Sequence, residues 1–362
     1  MPNPIPLFVC PGRGANYHCL VSGPVRSTLL CVVALSAFVA TCAAIHSFAP
    51  LHVNEVSEKL LFFKTHRAEF DTVFVGSSRT YHGVSPKVFD ETLRATGRTT
   101  RSFNFAIDGM QSPESLMMVR RIVALRPPSL KRIVLETSRL RVLSNPDPVT
   151  PRDIYWHDAE ALKYACRKFL ADSRPRPAKK KDAGFAKAWA EFTTHLRLFA
   201  VNEMNIGRAG LWLGEATSPP KVKKQQPPPL GPDNDGFAPV FREPDERHVK
   251  NVAAEMEQLR GRAKPVHQVD PIHRGELVRL EKELAQKQVA LSFVATPSVR
   301  EVNGKLDVPD GSPIFVFDDP ASSLYRLENR FDADHLNTTG AIEFTRLLAT
   351  EFARRLDAAP AQ

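Results

Sequence analysis

Three short apolar runs that alternate with amphipathic segments constrain the fold of this chain more than any other feature. The runs 71–75, 101–107 and 132–135 have the length and content of buried strands. The segments between them carry helix signals, with Ser85 and Ser112 placed to cap two helices. Strand, helix, strand, helix, strand in this spacing predicts right-handed crossovers and a parallel sheet.

The same pattern returns in the last third of the chain. Leucines fall on one face of a predicted helix at 274–288, and apolar strands are predicted at 289–295 and 314–317. A closing helix follows, with Asn337 or Thr338 as its cap. These elements extend the parallel sheet, so we predict one α/β domain.

The region 150–250 interrupts this pattern. Helical pieces at 158–170 and 185–201 are followed by a proline-rich tract at 218–244. Proline-rich tracts favour extended loops and do not form a core of their own. We therefore predict a helical, proline-rich insertion within the domain 54–362, either a lid or a decoration without function.

An uncharged apolar run near the N-terminus predicts a membrane segment. About 20 apolar residues span a bilayer, and we assign the transmembrane signal-anchor to 27–48. Basic residues precede the run and acidic residues follow it: Arg13, Arg26, Glu55 and Glu58. The positive-inside rule then makes 1–26 a cytoplasmic tail and 54–362 an extracytoplasmic domain. The predicted location is the inner membrane, single-pass, with the main domain in the periplasm.

Two other interpretations of this segment stay open. Small residues at 40–44 suit a signal peptidase, so the run can also be a cleaved signal peptide. Cys42 suggests a lipoprotein site, although Thr41 is a poor residue just before such a cysteine. The main domain is exported under each interpretation.

Charge and cysteine content exclude several functional classes. The net charge of +9 comes from scattered residues and from two clusters at 179–181 and 221–224, without a nucleic-acid motif. We predict no nucleic-acid partner, and we interpret the clusters as solvated loops or sites for anionic polymer or lipid. Only Cys166 of the five cysteines lies beyond residue 50, and no zinc spacing occurs. No metal or cofactor is predicted.

Residue types that suit nucleophilic catalysis lie at both ends of the domain. Ser77 and Ser78 follow the first strand, while Asp332 and His335 precede the last helix. The carboxyl ends of parallel strands meet at one edge of a sheet, where ligands bind. A serine becomes nucleophilic when an imidazole takes its proton and an acid orients that imidazole.

The two motifs, Gly76-Ser77-Ser78 and Asp332-Ala333-Asp334-His335, resemble those of the SGNH (GDSL-like) hydrolase superfamily. The chain is similar to its membrane-anchored branch, which includes DltD and the alginate O-acetylation proteins. The resemblance covers about 71–140 and 275–356, and implies a three-layer, doubly wound, flavodoxin-like sheet. It implies Ser78 as nucleophile, His335 as general base and Asp332 as orienting acid.

The resemblance is incomplete at the oxyanion hole. Family members use a glycine after the second strand, which Gly109 can match through its N–H, and an asparagine after the third. This chain has Thr137-Ser138 at the second place. We therefore predict an oxyanion hole from the N–H groups of Ser78 and Gly109 and the hydroxyl of Ser138. Asn104 is expected to bond backbone before Gly109.

Alternative roles remain open for several neighbours of these residues. Ser77 is the second candidate nucleophile and Asp334 the second candidate acid. Arg79 and His82 lie near the same edge and are predicted to bind an anionic substrate. Arg79 and Arg139 equally suit salt bridges within the fold.

These features together predict a membrane-anchored, extracytoplasmic serine esterase or O-acyltransferase. The resemblance implies a polysaccharide of the cell envelope or a secreted one as substrate, and a membrane acyl-transport protein as partner. Residues 27–48 are predicted to contact membrane lipid. The alternative is a catalytically inactive envelope protein that binds polymer or scaffolds a complex. A metal-dependent phosphatase is a third interpretation, whose ligand set the sequence lacks.

Overall fold

The computed structural model describes most of the chain as two units, residues 1–50 and 51–362. The described residues are 23–48, 51–137, 150–173, 181–208, 228–240, 246–260, 271–300, 308–309 and 311–358. The first unit contains helix α1 (Gly23–Phe48). Its segment Val25–Phe48 is long and apolar enough to cross a membrane, which agrees with the apolar span predicted at 27–48. The side of the membrane on which the second unit lies stays a prediction.

The second unit is an α/β fold around five parallel strands. The strands are β1 (Thr72–Val75), β2 (Ser102–Asn104), β3 (Arg132–Glu136), β4 (Ala290–Ala295) and β5 (Ile314–Val316). Their order is β2-β1-β3-β4-β5, and each neighbouring pair is parallel. The order changes direction between β1 and β3, and in open α/β sheets the ligand crevice lies at the carboxyl ends of the strands at such a point.

Helices pack on both faces of this sheet. The helices of the second unit are α2 (Asn54–His66), α3 (Ser78–Gly83), α4 (Pro86–Ala95), α5 (Glu114–Ala124), α6 (Pro151–Trp156), α7 (Ala159–Asp172), α8 (Lys181–Glu203), α9 (Glu246–Arg260), α10 (Pro271–Ala285) and α11 (Thr338–Ala358). Alternate strand residues enter two separate cores, as a pleated strand requires. Val73 and Val75 pack in the core with α2, α5 and α10, and Phe74 in the core with α4 and α11.

Two of the three predicted helix caps are confirmed. The Ser85 hydroxyl accepts the N–H of Val88, and Asn337 Oδ1 accepts the N–H of Gly340 at 3.0 Å. The prediction for Ser112 is wrong, because Pro113 occupies the cap position of α5. The Ser112 hydroxyl instead lies 2.9 Å from Nε2 of the buried His273.

The predicted insertion contains packed structure beside the sheet. Helices α7 and α8 contain its predicted helical pieces, and their rings of Phe169 and Phe192 stack at 5.0 Å between centroids. Within the proline-rich tract, residues 228–240 lie against α3, where the Ala238 N–H donates to the Tyr81 carbonyl at 3.2 Å. This part of the tract therefore belongs to the domain that carries α3.

A fully buried lysine joins this tract to the rest of the domain. Lys59 Nζ on α2 donates to the carbonyls of Asn104 (3.1 Å), Ala106 (2.6 Å) and Gly236 (2.8 Å). It also lies 4.0 Å above the Tyr81 ring. Burial lowers the pKa of Lys59 well below its ordinary value. Through these hydrogen bonds, Lys59 Nζ stabilises the contact among α2, the chain after β2 and the tract.

Replacing Lys59 with methionine is expected to destabilise the domain by roughly 3 kcal/mol, because three buried carbonyls lose their donor. Denaturant unfolding of the full chain in mild detergent measures the change. Lys64→Met, on an exposed position of the same helix, is the matched control and should change little. Equal stability of Lys59→Met and Lys64→Met would contradict this assignment.

Candidate active site

The turn after β1, which presents Ser78, is closely packed at Gly76. A β-carbon at Gly76 would collide with the Glu136 carboxylate and the Thr80 hydroxyl, so only glycine fits. Ser77 then caps α3 through a hydrogen bond from the Arg79 N–H. Ser78 is the first residue of the helix.

A buried carboxylate at the end of β3 fixes this turn. Glu136 Oε2 accepts the Ser77 N–H at 2.7 Å and the Thr80 hydroxyl at 2.6 Å, while Oε1 accepts the Ser77 hydroxyl at 2.8 Å. The Ser77 hydroxyl is thus engaged, which gives Ser77 a positioning role in place of the nucleophile role left open above. Sequence reasoning missed Glu136; its signal was an acid at the end of an apolar strand beside the crevice.

Ser78, His335 and Asp332 form one hydrogen-bonded chain. His335 Nε2 lies 2.7 Å from Ser78 Oγ, and His335 Nδ1 lies 2.9 Å from both carboxylate oxygens of Asp332. Asp332 Oδ1 also accepts the N–H groups of Asp334 at 2.7 Å and His335 at 2.8 Å. In this geometry Nδ1 donates to the acid and Nε2 accepts from the serine.

The charge on Asp332 is stabilised by its surroundings. Burial raises the pKa of Asp332, but the hydrogen bond and charge of His335 and two backbone N–H groups outweigh burial and lower it to about 2. Asp332 is therefore ionised at neutral pH and stabilises an imidazolium at His335.

A buried arginine holds the loop that carries these two residues. Arg330 donates to the carbonyls of Leu324 (3.1 Å), Asp332 (3.0 Å) and Ala333 (2.8 Å). Burial lowers the pKa of Arg330 to about 10, so it is cationic at neutral pH. Sequence reasoning missed this residue as well, because an arginine near an acidic loop usually indicates a surface ion pair.

Asp334 points away from His335 into a separate ion pair. Its Oδ1 lies 2.6 Å from Arg79 Nη2 and accepts the Ser298 hydroxyl at 2.9 Å, and its Oδ2 lies 3.2 Å from Arg300 Nη1. The predicted substrate-binding role of Arg79 therefore gives way to the salt-bridge alternative, since its side chain is only 5% exposed and paired. This pair joins the residue after Ser78 to the residue before His335.

His82 lies beside the site with its ring nitrogens facing acceptors. Its ring is 6.0 Å from the His335 ring between centroids. Nδ1 lies 2.5 Å from the Ala238 carbonyl oxygen, and Nε2 lies 3.0 Å from Asp108 Oδ1. His82 thus orients Asp108, and this arrangement leaves neither ring nitrogen directed at a substrate.

The backbone N–H groups of Ser78 and Gly109 are candidates to stabilise a negatively charged oxygen. Gly109 has a φ of +66°, which favours glycine, and the chain just before it runs beside the turn, since the Ile107 N–H donates to the Gly76 carbonyl at 3.1 Å. Within the described residues, no acceptor takes the N–H of Ser78 or Gly109. Ser138, predicted to add a hydroxyl, lies outside the described residues.

The side chain of Asn104 forms hydrogen bonds with backbone groups, as predicted. Its Nδ2 donates to the carbonyls of Thr80 at 2.8 Å and Val84 at 2.7 Å, and its Oδ1 accepts the N–H of Ala106 at 3.0 Å. It therefore fixes α3 relative to the chain that leads to Gly109. Arg139, for which a salt bridge was left open, also lies outside the described residues.

Comparison of the chain with family models, with curated proteins and with solved structures finds no match. Among the described residues, no group of three or more histidine, cysteine or acidic side chains is arranged to hold a metal ion.

Proposed function

We propose that this chain is a membrane-anchored serine esterase or O-acyltransferase with the three-layer, doubly wound fold of the SGNH hydrolases. The observation that supports the proposal best is the hydrogen-bonded chain from Ser78 Oγ through His335 to Asp332. Both distances, 2.7 and 2.9 Å, are within the range that general-base catalysis requires.

In the proposed first step, Ser78 Oγ attacks the carbonyl carbon of an ester while His335 Nε2 takes the hydroxyl proton. The carbonyl oxygen becomes negative and accepts hydrogen bonds from the N–H groups of Ser78 and Gly109. His335 then gives its proton to the departing alcohol, and the acyl group remains on Ser78. Asp332 stabilises the imidazolium through both steps.

In the second step, water or a sugar hydroxyl attacks the acyl-serine. His335 takes the proton of the attacking group and returns it to Ser78 Oγ as the acyl group leaves. Attack by water completes an esterase cycle, and attack by a sugar hydroxyl completes an O-acyl transfer. A polysaccharide acceptor and a membrane acyl-transport partner are proposed from the resemblance of the two motifs. Helix α1, apolar enough to span a bilayer, supports the proposed membrane anchor. The periplasmic location of the main domain is proposed from the basic residues before this helix and the acidic residues after it.

The experiment that tests this function is pre-steady-state hydrolysis of p-nitrophenyl acetate by the purified full chain in mild detergent. We expect a burst of p-nitrophenol close to one equivalent per protein chain, because the acyl-serine accumulates when its breakdown is the slower step. Addition of a neutral oligosaccharide should raise the steady rate if transfer competes with hydrolysis. A folded protein that gives neither a burst nor turnover would favour the polymer-binding alternative.

A further inference from the structure

Several cations that surround Ser78 in the described part of the chain are engaged by acids of the protein. Arg79 pairs with Asp334, as described above. Arg300 donates to both carboxylate oxygens of Glu255, at 2.9 and 3.0 Å. Arg152, which also donates to the Asp108 carbonyl, binds both oxygens of Glu114 at 2.6 and 2.9 Å. Within the described residues, these three arginines are therefore neutralised by protein carboxylates.

Among the described residues, Asp108 is a charged side chain next to the site. It directly precedes Gly109, and its side chain is 46% exposed. Oδ1 is buried beside His82, so the exposed oxygen is Oδ2, to which no described side chain donates. Burial raises the pKa of Asp108, but the contact with His82 and the nearby His335 outweigh burial and hold it below its ordinary value. The carboxylate is therefore ionised at neutral pH.

We propose that Asp108 is a specificity-determining residue that presents Oδ2 to the substrate, so that the site accepts neutral, hydroxyl-bearing esters and disfavours anionic ones. This inference rests on the proposed acyl transfer at Ser78. A carboxylate oxygen accepts hydrogen bonds from hydroxyl groups beside the reacting ester. It repels a carboxylate, sulfate or phosphate at the same place.

The proposed substrate is neutral, whereas the sequence suggested an anionic substrate bound by Arg79 and His82. Arg79 is buried in its pair with Asp334, and His82 holds Asp108 in place. The inferred substrate class is therefore a neutral polyol ester, such as an acylated neutral sugar, in place of a polyuronate.

The test compares two esters that share one leaving group and differ in one charge: the mono-p-nitrophenyl ester of adipic acid and its methyl ester. Because leaving-group reactivity is the same, the ratio of their kcat/KM values reports the charge preference of the site. We expect the full chain to prefer the neutral ester, and we expect Asp108→Asn to reduce this preference about tenfold. The wild-type preference should also weaken as salt is added.

Two variants keep the result interpretable. Asp108→Glu retains the charge and should retain the preference for the neutral ester. Glu91→Gln removes a charge from an exposed position on α4 and should leave the ratio unchanged. If an active Asp108→Asn protein has an unchanged ratio of kcat/KM values, the role of Asp108 is overturned and the proposed function is not. Absence of turnover of both esters by the wild-type chain overturns the proposed function, and this inference with it.

Discussion

Ser78→Ala is expected to lower ester turnover by the full chain on the order of 10⁴-fold or more, because it removes the only atom that forms the acyl intermediate. The burst of p-nitrophenol should disappear with it. Folding should be preserved, since Ser78 Oγ contacts His335 at the surface of the crevice and Glu136 holds the turn through other atoms. Stopped-flow kinetics together with thermal unfolding measures both effects.

Ser77→Ala is the matched control for this result. It removes the hydroxyl that donates to Glu136 but leaves the chain from Ser78 to His335 to Asp332 intact. We expect a smaller loss of activity, about tenfold to a hundredfold, and a burst that remains. The assignment of the nucleophile would be contradicted if Ser78→Ala kept the burst of p-nitrophenol. It would also be contradicted if Ser77→Ala abolished the burst and Ser78→Ala did not.

Asp332→Asn is expected to lower kcat by about 10⁴-fold, because the amide favours the wrong tautomer of His335. An asparagine amide donates to Nδ1, which moves the imidazole proton to Nε2 and prevents Nε2 from accepting the Ser78 proton. Steady-state kinetics from about pH 5 to 8, the range in which an unperturbed imidazole changes charge, measures the loss.

The pKa of Asp332 determines at which pH its own contribution to stability is lost. The pKa of this carboxyl is lowered to about 2 in the folded protein, so its stabilising contribution is complete above its ordinary value and is lost only as the pH falls towards 2. Moderate acidification therefore leaves Asp332 ionised. Loss of its stabilising contribution near neutral pH, measured as the difference in unfolding between the wild type and Asp332→Asn, would contradict this explanation.

Asp334→Asn is the matched control for Asp332→Asn, since both acids lie in the same loop. Asp334 pairs with Arg79 and does not contact the His335 ring, so we expect about a tenfold loss through misplacement of the imidazole. Equal losses in the two variants would show that the loop as a whole, and not the orienting carboxylate, controls activity.

The residues of the proposed triad could be predicted because parallel strands place their carboxyl ends on one edge. That topology brings Ser78, after β1, within reach of His335, which precedes a helix packed on the same sheet. Sequence alone left Asp332 and Asp334 as alternatives, since both precede His335 closely. The turn geometry decides between them: the Asp332 carboxylate accepts two backbone N–H groups of its own turn, and Asp334 is directed towards Arg79.

The contacts of the supporting residues could not be predicted from a local pattern, although the place of Glu136 at the end of an apolar strand was a signal. Glu136 contacts Ser77 across 59 residues, and Lys59 contacts Gly236 across 177. Such contacts follow from packing between distant segments, which periodicity and capping rules do not encode. For the same reason, the sequence did not predict which part of the proline-rich tract packs against α3. That packing depends on tertiary contacts of the 228–240 backbone.

The most direct test of the central claim is to treat the folded full chain with a fluorophosphonate and to locate the adduct by peptide mass spectrometry. The reagent phosphonylates a serine only where an adjacent base activates it. The account predicts one adduct, on Ser78, whose formation is lost in His335→Ala and greatly slowed in Asp332→Asn. A folded chain without an adduct, or with an adduct on another residue such as Ser77, would contradict the account.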